Sequence, residues 1–338
     1  MEPVNVCEYE ALARERMDPV YWDFHRGGSG DEVTLRANRA AFERIWLRPR
    51  MLVDVSTCNT QTTVLGTPIQ MPIIAAPTAY HRFAHPEGEC ATAQGVGKAG
   101  TVLTVSTVSS RTIEDIASAT DGPLWFQLYI YRDNKITAKL IQRAEDAGYR
   151  AIVLTIDVPR FGRRERDVRN HFALPPLANI EVNDVTNMKP SVTWKDIAWL
   201  RTLTPLPILV KGVLTAEDAL LAIEHGVDGI IVSNHGGRQL DGAVASIDAL
   251  PEVVEAVAKR CEVYLDGGIR RGIDVIKALA LGAQAVLIGR PVLWSLAVDG
   301  AAGVYRMLEL LRAELELAMA LCGRPTLTSI DPSLLRRL

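Results

Sequence analysis

Short apolar runs and amphipathic stretches alternate along most of the chain after residue 72. Eight runs are rich in Val, Ile, Leu and Ala, at residues 73–76, 102–105, 124–128, 151–155, 208–211, 229–233, 263–266 and 285–288. The segments between them have helical spacing, at 87–99, 113–118, 135–147, 194–202, 216–225, 247–259 and 274–281, and a last helical region spans 292–321. Alternating strands and helices predict parallel βαβ units. Eight units predict an α/β fold, a closed (β/α)8 TIM barrel rather than an open doubly wound sheet.

The first 70 residues have a different pattern. Residues 8–17 and 34–45 show helical spacing, turn-like stretches interrupt them, and residues 62–70 have the pattern of a short hairpin. We therefore expect a helical lead-in and hairpin over residues 1–70 and a barrel over 71–338, within a single domain. The length of 338 residues fits one barrel with such an N-terminal extension.

One connection between a predicted strand and the next helix is much longer than the others. The segment between the fourth predicted strand and the helix at 194 is long and polar, and it contains Pro159, Pro175, Pro176 and Pro190. Long loops inside compact domains are often functional lids. Because this loop follows a barrel strand, it should lie at the face where barrel active sites form.

Composition excludes several classes of protein. With 48% hydrophobic and 23% charged residues, the chain is neither disordered nor fibrous, and a net charge of −3 gives no sign of a nucleic-acid partner. The five cysteines are scattered without a C-x-x-C pair, so we expect no disulfide framework and no metal site. No apolar run reaches 18 residues, and neither a signal peptide nor the peroxisomal S-K-L ending is present. These features favour the cytoplasm.

Polar side chains follow all eight predicted strands. In chain order, the strand ends and the loops beyond them carry Thr78, Ala79, Ser106, Gln127, Tyr129, Thr155, Asp157, Arg164, Lys211, Ser233, His235, Arg238, Asp266, Gly268, Arg270, Gly289 and Arg290. One polar strand end means little. Eight that converge at one face predict a ligand rich in hydrogen-bonding atoms at the barrel mouth.

The last two strand ends have the features of a phosphate site. Gly267, Gly268 and Gly289 would let backbone N–H groups approach an anion, and Arg270 and Arg290 would supply positive charge. A Gly-Gly pair is more often only a tight turn. Its position after the seventh strand favours the phosphate site, because barrels often bind phosphate in the loops after strands seven and eight.

His235 is the candidate acid–base group. A lone histidine is more often structural, but His235 ends a strand, and Asp157 on a nearby strand could orient it. Arg164 and Arg238 could clamp a carboxylate, although the charges around Arg164 are equally typical of a solvated loop. Lys211 ends an otherwise apolar strand. Because an unpaired buried lysine is costly, we expect it to face an anionic or electron-rich partner.

The run SNHGGRQLD at 233–241 resembles the signature of the FMN-dependent 2-hydroxy-acid oxidases and dehydrogenases. This family includes glycolate oxidase, lactate oxidase, long-chain hydroxy-acid oxidase, mandelate oxidase and mandelate dehydrogenase. Five further blocks follow the family's order: PTA at 77–79, HPEGE at 85–89, WFQLY at 125–129, LVKG at 209–212 and DGGIR at 266–270. The resemblance covers nearly the whole chain, and it implies FMN as the cofactor.

The resemblance also implies a role for each matching residue. His235 would be the base that acts on the substrate, paired to Asp157, while Tyr129 would hydrogen-bond the substrate hydroxyl. Arg164 and Arg238 would hold the substrate carboxylate. The residues implied at the isoalloxazine ring are Thr78, Ala79, Ser106, Gln127 and Thr155, with Lys211 near flavin N1 and O2. Those implied elsewhere on the cofactor are Ser233, Asp266, Gly268, Arg270, Gly289 and Arg290.

Departures from the family pattern bear on the substrate. Phe24 stands where many glycolate and lactate oxidases have a tyrosine that contacts the carboxylate, and Val108 stands where plant glycolate oxidase has a tryptophan. Both changes favour medium-chain, long-chain or aromatic 2-hydroxy acids, such as mandelate. The loop at 171–193 is shorter than in plant glycolate oxidase. Residues 179–184 are too short and polar for the membrane-binding insert of mandelate dehydrogenase, so no membrane partner is expected.

The implied reaction is oxidation of an (S)-2-hydroxy acid to a 2-oxo acid. Ala79 occupies a position where glycine often accompanies poor oxygen reactivity, so we expect oxygen as the acceptor and hydrogen peroxide as a product. An L-lactate or glycolate oxidase, or a dehydrogenase with another electron acceptor, stays an alternative. Because relatives are commonly tetramers, a homotetramer is expected.

Two competing interpretations come from other classes. A phosphate-binding barrel such as inosine-monophosphate dehydrogenase would use a loop cysteine as its nucleophile, but no cysteine here follows a predicted strand. A non-catalytic flavin-binding barrel would be favoured by loss of the base or of the carboxylate clamp. All four residues of that machinery are present, which are His235, Asp157, Arg164 and Arg238.

Overall fold

The computed structural model describes residues 2–180 and 187–337. Its N-terminal elements are helices α1 (Val6–Arg16), α2 (Pro19–Arg26) and α3 (Val33–Glu43), strand β1 (Ile45–Leu47), and a hairpin of β2 (Thr62–Val64) and β3 (Thr67–Ile69). The sequence pattern did not reveal α2, because aromatic and β-branched residues of low helix propensity dominate it. It begins at Pro19, behind an Asp18 cap whose carboxylate accepts the Val20 N–H at 2.8 Å.

Eight parallel strands then form a closed barrel, which confirms the predicted fold. They are β4 (Ile73–Ala75), β5 (Leu103–Ser106), β6 (Leu124–Leu128), β7 (Ile152–Thr155), β8 (Ile208–Val213), β9 (Gly229–Val232), β10 (Glu262–Asp266) and β11 (Ala285–Ile288). Each strand pairs with the next, and β11 pairs with β4 to close the barrel. All eight carboxyl ends therefore meet at one mouth.

Helices surround the barrel. They are α4 (Glu89–Lys98), α5 (Ile113–Ser118), α6 (Asn134–Asp146), α7 (Glu165–Arg169), α8 (Lys195–Arg201), α9 (Ala216–Glu224), α10 (Ser246–Val257), α11 (Gly272–Ala280) and α12 (Arg290–Leu321). The final strand, β12 (Leu335–Arg337), pairs antiparallel with β1. The sequence pattern did not predict this pair, because each strand has only three residues and, unlike β2 and β3, the two strands are not joined by a turn. Among residues 2–180 and 187–337, no helix is both long and apolar enough to cross a membrane.

The end of the barrel opposite the mouth is closed by the β2–β3 hairpin. Val64 and Ile69 of the hairpin are buried against the side chains that fill the barrel, among them Trp125 and Tyr264. The backbone N–H of Leu65 at the hairpin turn donates to the carboxylate of Glu262 at the start of β10, at 3.1 Å. With that end closed, the mouth is left for a ligand.

The long loop after β7 is anchored beside the mouth. The buried Asn179 side chain accepts the Ile113 N–H at 2.9 Å and donates to Ser109 Oγ at 2.9 Å. The Tyr80 hydroxyl donates to the Pro176 carbonyl at 3.0 Å. Residues 171–180 are therefore fixed at two points. Residues 181–186, part of the segment that we predicted to be too polar for a membrane insert, lie outside the described residues.

The second glutamate of the HPEGE block joins two loops of the mouth. Glu89 is buried at the start of α4, and its carboxylate accepts the His81 N–H at 3.0 Å, the Ser110 N–H at 2.8 Å and the Ser110 hydroxyl at 2.5 Å. It therefore connects the loop after β4 to the loop after β5, which positions both loops over the mouth.

We predict that Glu89→Ala lowers the free energy of unfolding by at least about 2 kcal/mol, because buried N–H and hydroxyl donors lose a charged acceptor. Chemical denaturation measures this change. The exposed Glu87→Ala serves as the control and should change stability by less than about 0.5 kcal/mol. Equal effects of the two substitutions would contradict the assigned role of Glu89.

Candidate active site

A cleft opens at the mouth of the barrel. Most of the predicted site residues line it: Phe24, Thr78, Ala79, Ser106, Val108, Gln127, Tyr129, Thr155, Arg164, Lys211, His235, Arg238, Asp266, Gly268, Arg270, Gly289 and Arg290. Asp157 and Ser233 do not line the cleft but hydrogen-bond to residues that do. The structure thus brings every predicted position to one site.

His235 and Asp157 form a hydrogen-bonded pair. The distance from His235 Nδ1 to Asp157 Oδ1 is 2.9 Å. Burial lowers the pKa of His235 below its ordinary value of 6.5, and Asp157 partly opposes this shift. For Asp157, burial alone would raise the pKa, but His235 and Lys211 hold it below the ordinary value. The imidazole is therefore neutral near pH 7, and an ionised Asp157 keeps the proton on Nδ1 and leaves Nε2 to accept another.

Lys211 has a carboxylate partner, as its position predicted, and this partner is Asp266. The distance from Lys211 Nζ to Asp266 Oδ2 is 2.9 Å, and the ammonium also donates to Ser233 Oγ at 2.9 Å. Ser233 Oγ in turn donates to Asp266 Oδ1 at 2.7 Å. Burial lowers the pKa of Lys211, but Asp266 and Asp157 together raise it by more, so the net shift is upward. A charged ammonium therefore stands at the wall of the cleft.

The two arginines predicted to clamp a carboxylate share the ring of Phe24. The guanidinium carbon of Arg238 lies 5.3 Å from the ring centroid and that of Arg164 lies 6.0 Å from it. Arg238 also donates to the carbonyl oxygens of Phe24 and Gly27, at 2.7 and 2.9 Å. Burial lowers the pKa of both guanidiniums, and for Arg238 the neighbouring Arg164 and Arg290 lower it further.

The arginines predicted at the phosphate site are partly buried. Arg290 donates to the carbonyl oxygens of His25, Gly27 and Gly236, at 3.0, 2.9 and 3.0 Å. Arg270 lies over the ring of Trp294, with 4.7 Å between the guanidinium carbon and the ring centroid. Burial lowers the pKa of Arg290 to about 9 and that of Arg270 to about 10.

These cations are short of negative partners. Within residues 2–180 and 187–337, no carboxylate lies within the 4.0 Å salt-bridge distance of Arg238, Arg270 or Arg290, and Arg164 reaches Asp167 only at 3.9 Å. The Nε of Arg164 is buried without a hydrogen-bond partner. Because buried charge is costly unless it is paired, the donor set fits a ligand with anionic groups, and both a phosphate and a carboxylate meet this need.

Some residues of the site were missed by the sequence pattern. Phe172, from the loop after β7, packs on Phe24 with 4.6 Å between ring centroids, and Phe83 packs on Phe24 at 5.8 Å. His25 lines the cleft, and its buried Nε2 has no hydrogen-bond partner. None of these residues follows a strand directly, so the strand-end rule could not find them. The aromatic ring of Phe24 was the sequence feature that could have pointed to aromatic neighbours at this place.

The fold and the site together define an α/β barrel whose mouth presents a histidine–aspartate pair beside arginines that lack close anionic partners in the described part of the chain. The family model described as FMN-dependent dehydrogenase matches residues 13–337. The chain belongs to this family, and FMN is its cofactor. The protein is therefore an FMN-dependent oxidoreductase of the 2-hydroxy-acid oxidase family.

Named relatives support this assignment along the full chain. An L-lactate oxidase of Nostoc sp. is 51% identical, over 98% of this chain and 98% of its own length. A glycolate oxidase of Spinacia oleracea is also 51% identical, over 98% of this chain and 95% of its own length. A crystal structure of mandelate oxidase with (S)-2-phenylpropionate has a TM-score of 0.94 and 46% identity, covering 100% of this chain and 99% of that one.

We predict that Asp157→Asn lowers the pKa of the His235 ring. Asp157 raises that pKa in the native protein, so its loss leaves the lowering by burial and by Lys211 and Arg164 unopposed. Histidine-selective NMR over a pH series measures the change. The ring should become protonated at a lower pH in the variant than in the native protein, and an unchanged or higher titration midpoint would contradict this electrostatic coupling.

Proposed function

We propose that the protein oxidises (S)-2-hydroxy acids with large apolar side chains to 2-oxo acids, with molecular oxygen as the final electron acceptor. The observation that carries this proposal is that a neutral histidine lies beside two partly buried arginines and the apolar side chains of the cleft. The arginines suit the carboxylate of the substrate, the histidine suits its hydroxyl group, and the apolar residues suit its side chain.

Arg164 and Arg238 bind the carboxylate in this proposal. Their guanidiniums face the same ring of Phe24, and Arg164 Nε lacks a hydrogen-bond partner. A carboxylate accepts two hydrogen bonds from a guanidinium in a fixed geometry. It would also offset the mutual repulsion that lowers the pKa of Arg238. The carboxylate thereby sets which end of the substrate meets the base.

His235 removes a proton from the substrate in this proposal. The hydrogen bond from Nδ1 to Asp157 leaves Nε2 free to accept the proton, and Asp157 stabilises the imidazolium that forms. Tyr129 keeps its own proton, because burial raises the pKa of its hydroxyl far above its ordinary value. The neutral phenol can therefore donate a hydrogen bond to the substrate oxygen.

The remaining residues would hold FMN, which when bound accepts the two electrons of the oxidation. We assign to it Thr78, Ala79, Ser106, Gln127, Thr155, Lys211, Ser233, Asp266, Gly268, Arg270, Gly289 and Arg290. Gln127 Nε2 donates to Thr155 Oγ1 at 3.0 Å, and Ser106 Oγ donates to Gln127 Oε1 at 3.2 Å, so this wall of the cleft is pre-ordered. Lys211 supports negative charge on the reduced ring system.

The apolar part of the cleft supports a bulky side chain. Phe24, Val108, Phe161 and Leu174 line the cleft. Phe83 and Phe172 do not line it, but they pack on the Phe24 ring and hold it in place. Because residue 24 is phenylalanine, no hydroxyl group is present there to hydrogen-bond a small polar substrate. The relatives named for L-lactate, glycolate and mandelate share this chain's family, and the similar structure that contains (S)-2-phenylpropionate favours the aromatic choice. An L-lactate or glycolate oxidase is the second candidate.

Oxygen as the acceptor rests on the relatives that are named oxidases and on Ala79. In this proposal oxygen takes up two electrons and two protons and leaves as hydrogen peroxide. A dehydrogenase that passes its electrons to another acceptor is the alternative. The homotetramer and the cytoplasmic location stay predictions.

We predict that (S)-mandelate and (S)-2-hydroxyoctanoate have a higher kcat/KM than glycolate or L-lactate. A peroxide assay under air, run beside an assay with an artificial electron acceptor, measures both substrate preference and acceptor. Peroxide formed in equal amount to the 2-oxo acid supports the oxidase. The highest kcat/KM on glycolate would contradict the proposed substrate class, and product without peroxide would contradict the acceptor.

We also predict that Phe24→Tyr combined with Val108→Trp shifts the preference toward glycolate. The new hydroxyl should raise kcat/KM on glycolate about 3- to 10-fold. The indole should fill the space of a phenyl group and lower kcat/KM on mandelate about 10-fold or more. Val4→Trp, at an exposed N-terminal position, is the control for an added indole. If the ratio of kcat/KM on glycolate to kcat/KM on mandelate does not change, the pocket for the substrate side chain does not include positions 24 and 108.

A further inference from the structure

The turn that carries His235 and Arg238 is held by the N-terminal segment as well as by the barrel. It follows β9 as a single helical turn, His235–Gly237. The Ser29 N–H, just before α3, donates to the Gly237 carbonyl at 2.9 Å. A Cβ added at Gly237 would lie 2.6 Å from the backbone nitrogen of Leu35 in α3. Only glycine allows so close an approach, so the turn and α3 pack backbone against backbone.

A pair of buried asparagines connects α3 to this turn. Asn38 in α3 donates through Nδ2 to Asn234 Oδ1 at 2.8 Å, and Asn234 donates through its own Nδ2 to Asn38 Oδ1 at 2.8 Å. The two side chains are 2% and 4% exposed. Reciprocal amide hydrogen bonds fix both the distance and the orientation of the two groups, and in a buried setting no water can replace them.

The asparagine pair also holds both ends of the loop after β9. Asn234 Oδ1 accepts the Gly237 N–H at 3.1 Å, and Asn234 Nδ2 donates to the Val244 carbonyl at 2.9 Å. Asn38 Oδ1 accepts the Ser246 N–H at 3.2 Å, where α10 begins. Loss of the Asn38 side chain would therefore leave Asn234 and Ser246 with buried polar groups that have lost a partner.

The residue next to Asn234 has an unfavourable backbone conformation. His235 has φ of +58°, in the left-handed region that non-glycine residues rarely adopt. Such conformations persist only where surrounding contacts enforce them. The Asn38–Asn234 pair is such a contact, directly before His235 in the chain. Without it, the turn can relax and carry the imidazole away from Asp157.

We propose that Asn38 is a positioning residue that holds His235 in its reactive orientation through Asn234. This rests on the proposed function, in which His235 is the base. Asn38 does not line the cleft, so it acts through the turn and not on the ligand. The lead-in is thereby part of the catalytic machinery, because α3 sets the geometry of a group on the sixth barrel strand.

The test compares Asn38→Ala with native holoenzyme on the best 2-hydroxy acid of the substrate panel. A misplacement of about 1 Å at a reacting group can cost about 100-fold, so kcat should fall about 10- to 100-fold while KM changes less than about threefold. Because Asp157 raises the pKa of His235, separating them should move the acid limb of the kcat/KM profile to lower pH. A purely structural role would not produce that shift.

Thr34→Val is the matched control. Thr34 is also buried in α3, and its hydroxyl donates to the Ala243 carbonyl at 2.9 Å, so the variant loses a contact between helix and loop without touching Asn234. It should lower the melting temperature and leave kcat within about twofold. If Asn38→Ala does not fold, Asn38→Asp keeps an acceptor for Asn234 and Ser246 but sets a carboxylate oxygen against Asn234 Oδ1 in place of the donor, and kcat should still fall.

A double-mutant cycle sharpens the test. If the pair acts as one unit, Asn38→Ala combined with Asn234→Ala should lower kcat no further than Asn234→Ala alone. A folded Asn38→Ala enzyme with native kcat and a native pH profile would overturn the proposal. That outcome would leave the proposed function standing. Absence of activity in the native holoenzyme on every 2-hydroxy acid tested would instead contradict the function itself.

Discussion

Partly buried positive charge at the barrel mouth is the constraint on which the site depends. Arg164, Arg238, Arg270 and Arg290 all have a pKa lowered by burial. Protein groups offset only part of this charge, by backbone carbonyls, by aromatic faces and by Asp167 at 3.9 Å. In the proposed function, an FMN phosphate and a substrate carboxylate would supply the missing anions. The bound anions would neutralise the arginines and so stabilise the site. The arginines would in turn fix the orientation of both ligands.

The same constraint explains why the barrel needs its N-terminal extension. The carbonyl oxygens of Phe24, His25 and Gly27 accept hydrogen bonds from Arg238 and Arg290. The aromatic ring of Phe24 covers Arg164 and Arg238 at the same time. A bare barrel would expose these guanidiniums to water and weaken their hold on an anion. The end of α2 and the turn after it therefore act as a wall of the site.

The sequence predicted the barrel well because the fold follows from a repeated pattern. Eight apolar runs, each followed by helical spacing, leave few alternative topologies. The convergence of Thr78, Gln127, Lys211, His235 and other strand-end residues then follows from parallel strands alone. Their individual roles in catalysis and cofactor binding stay predictions that rest on the family resemblance.

The rest of the site could not be predicted because it depends on long-range contacts. The pairing of Lys211 with Asp266 joins β8 to β10, and the Asn38–Asn234 pair joins residues 196 positions apart. Helix α2 has weak intrinsic helix propensity, and its packing on the barrel stabilises it. Phe172 reaches Phe24 from a loop without periodicity. In each case the decisive partner is distant in the sequence, and only the folded chain reveals it.

The role of the arginines in selecting the substrate is tested most directly by anaerobic reduction of the bound flavin with a matched pair of compounds, (S)-mandelate and (S)-mandelamide. They have the same phenyl group and hydroxyl group, and they differ only in the charge presented to the arginines. We predict that mandelate bleaches the oxidised flavin at least about 100-fold faster than the amide at equal concentration, since a charged hydrogen-bonded pair is worth about 1.5–3 kcal/mol for each arginine. Equal rates for the acid and the amide would contradict this role, because the arginines would then have no part in selecting the substrate.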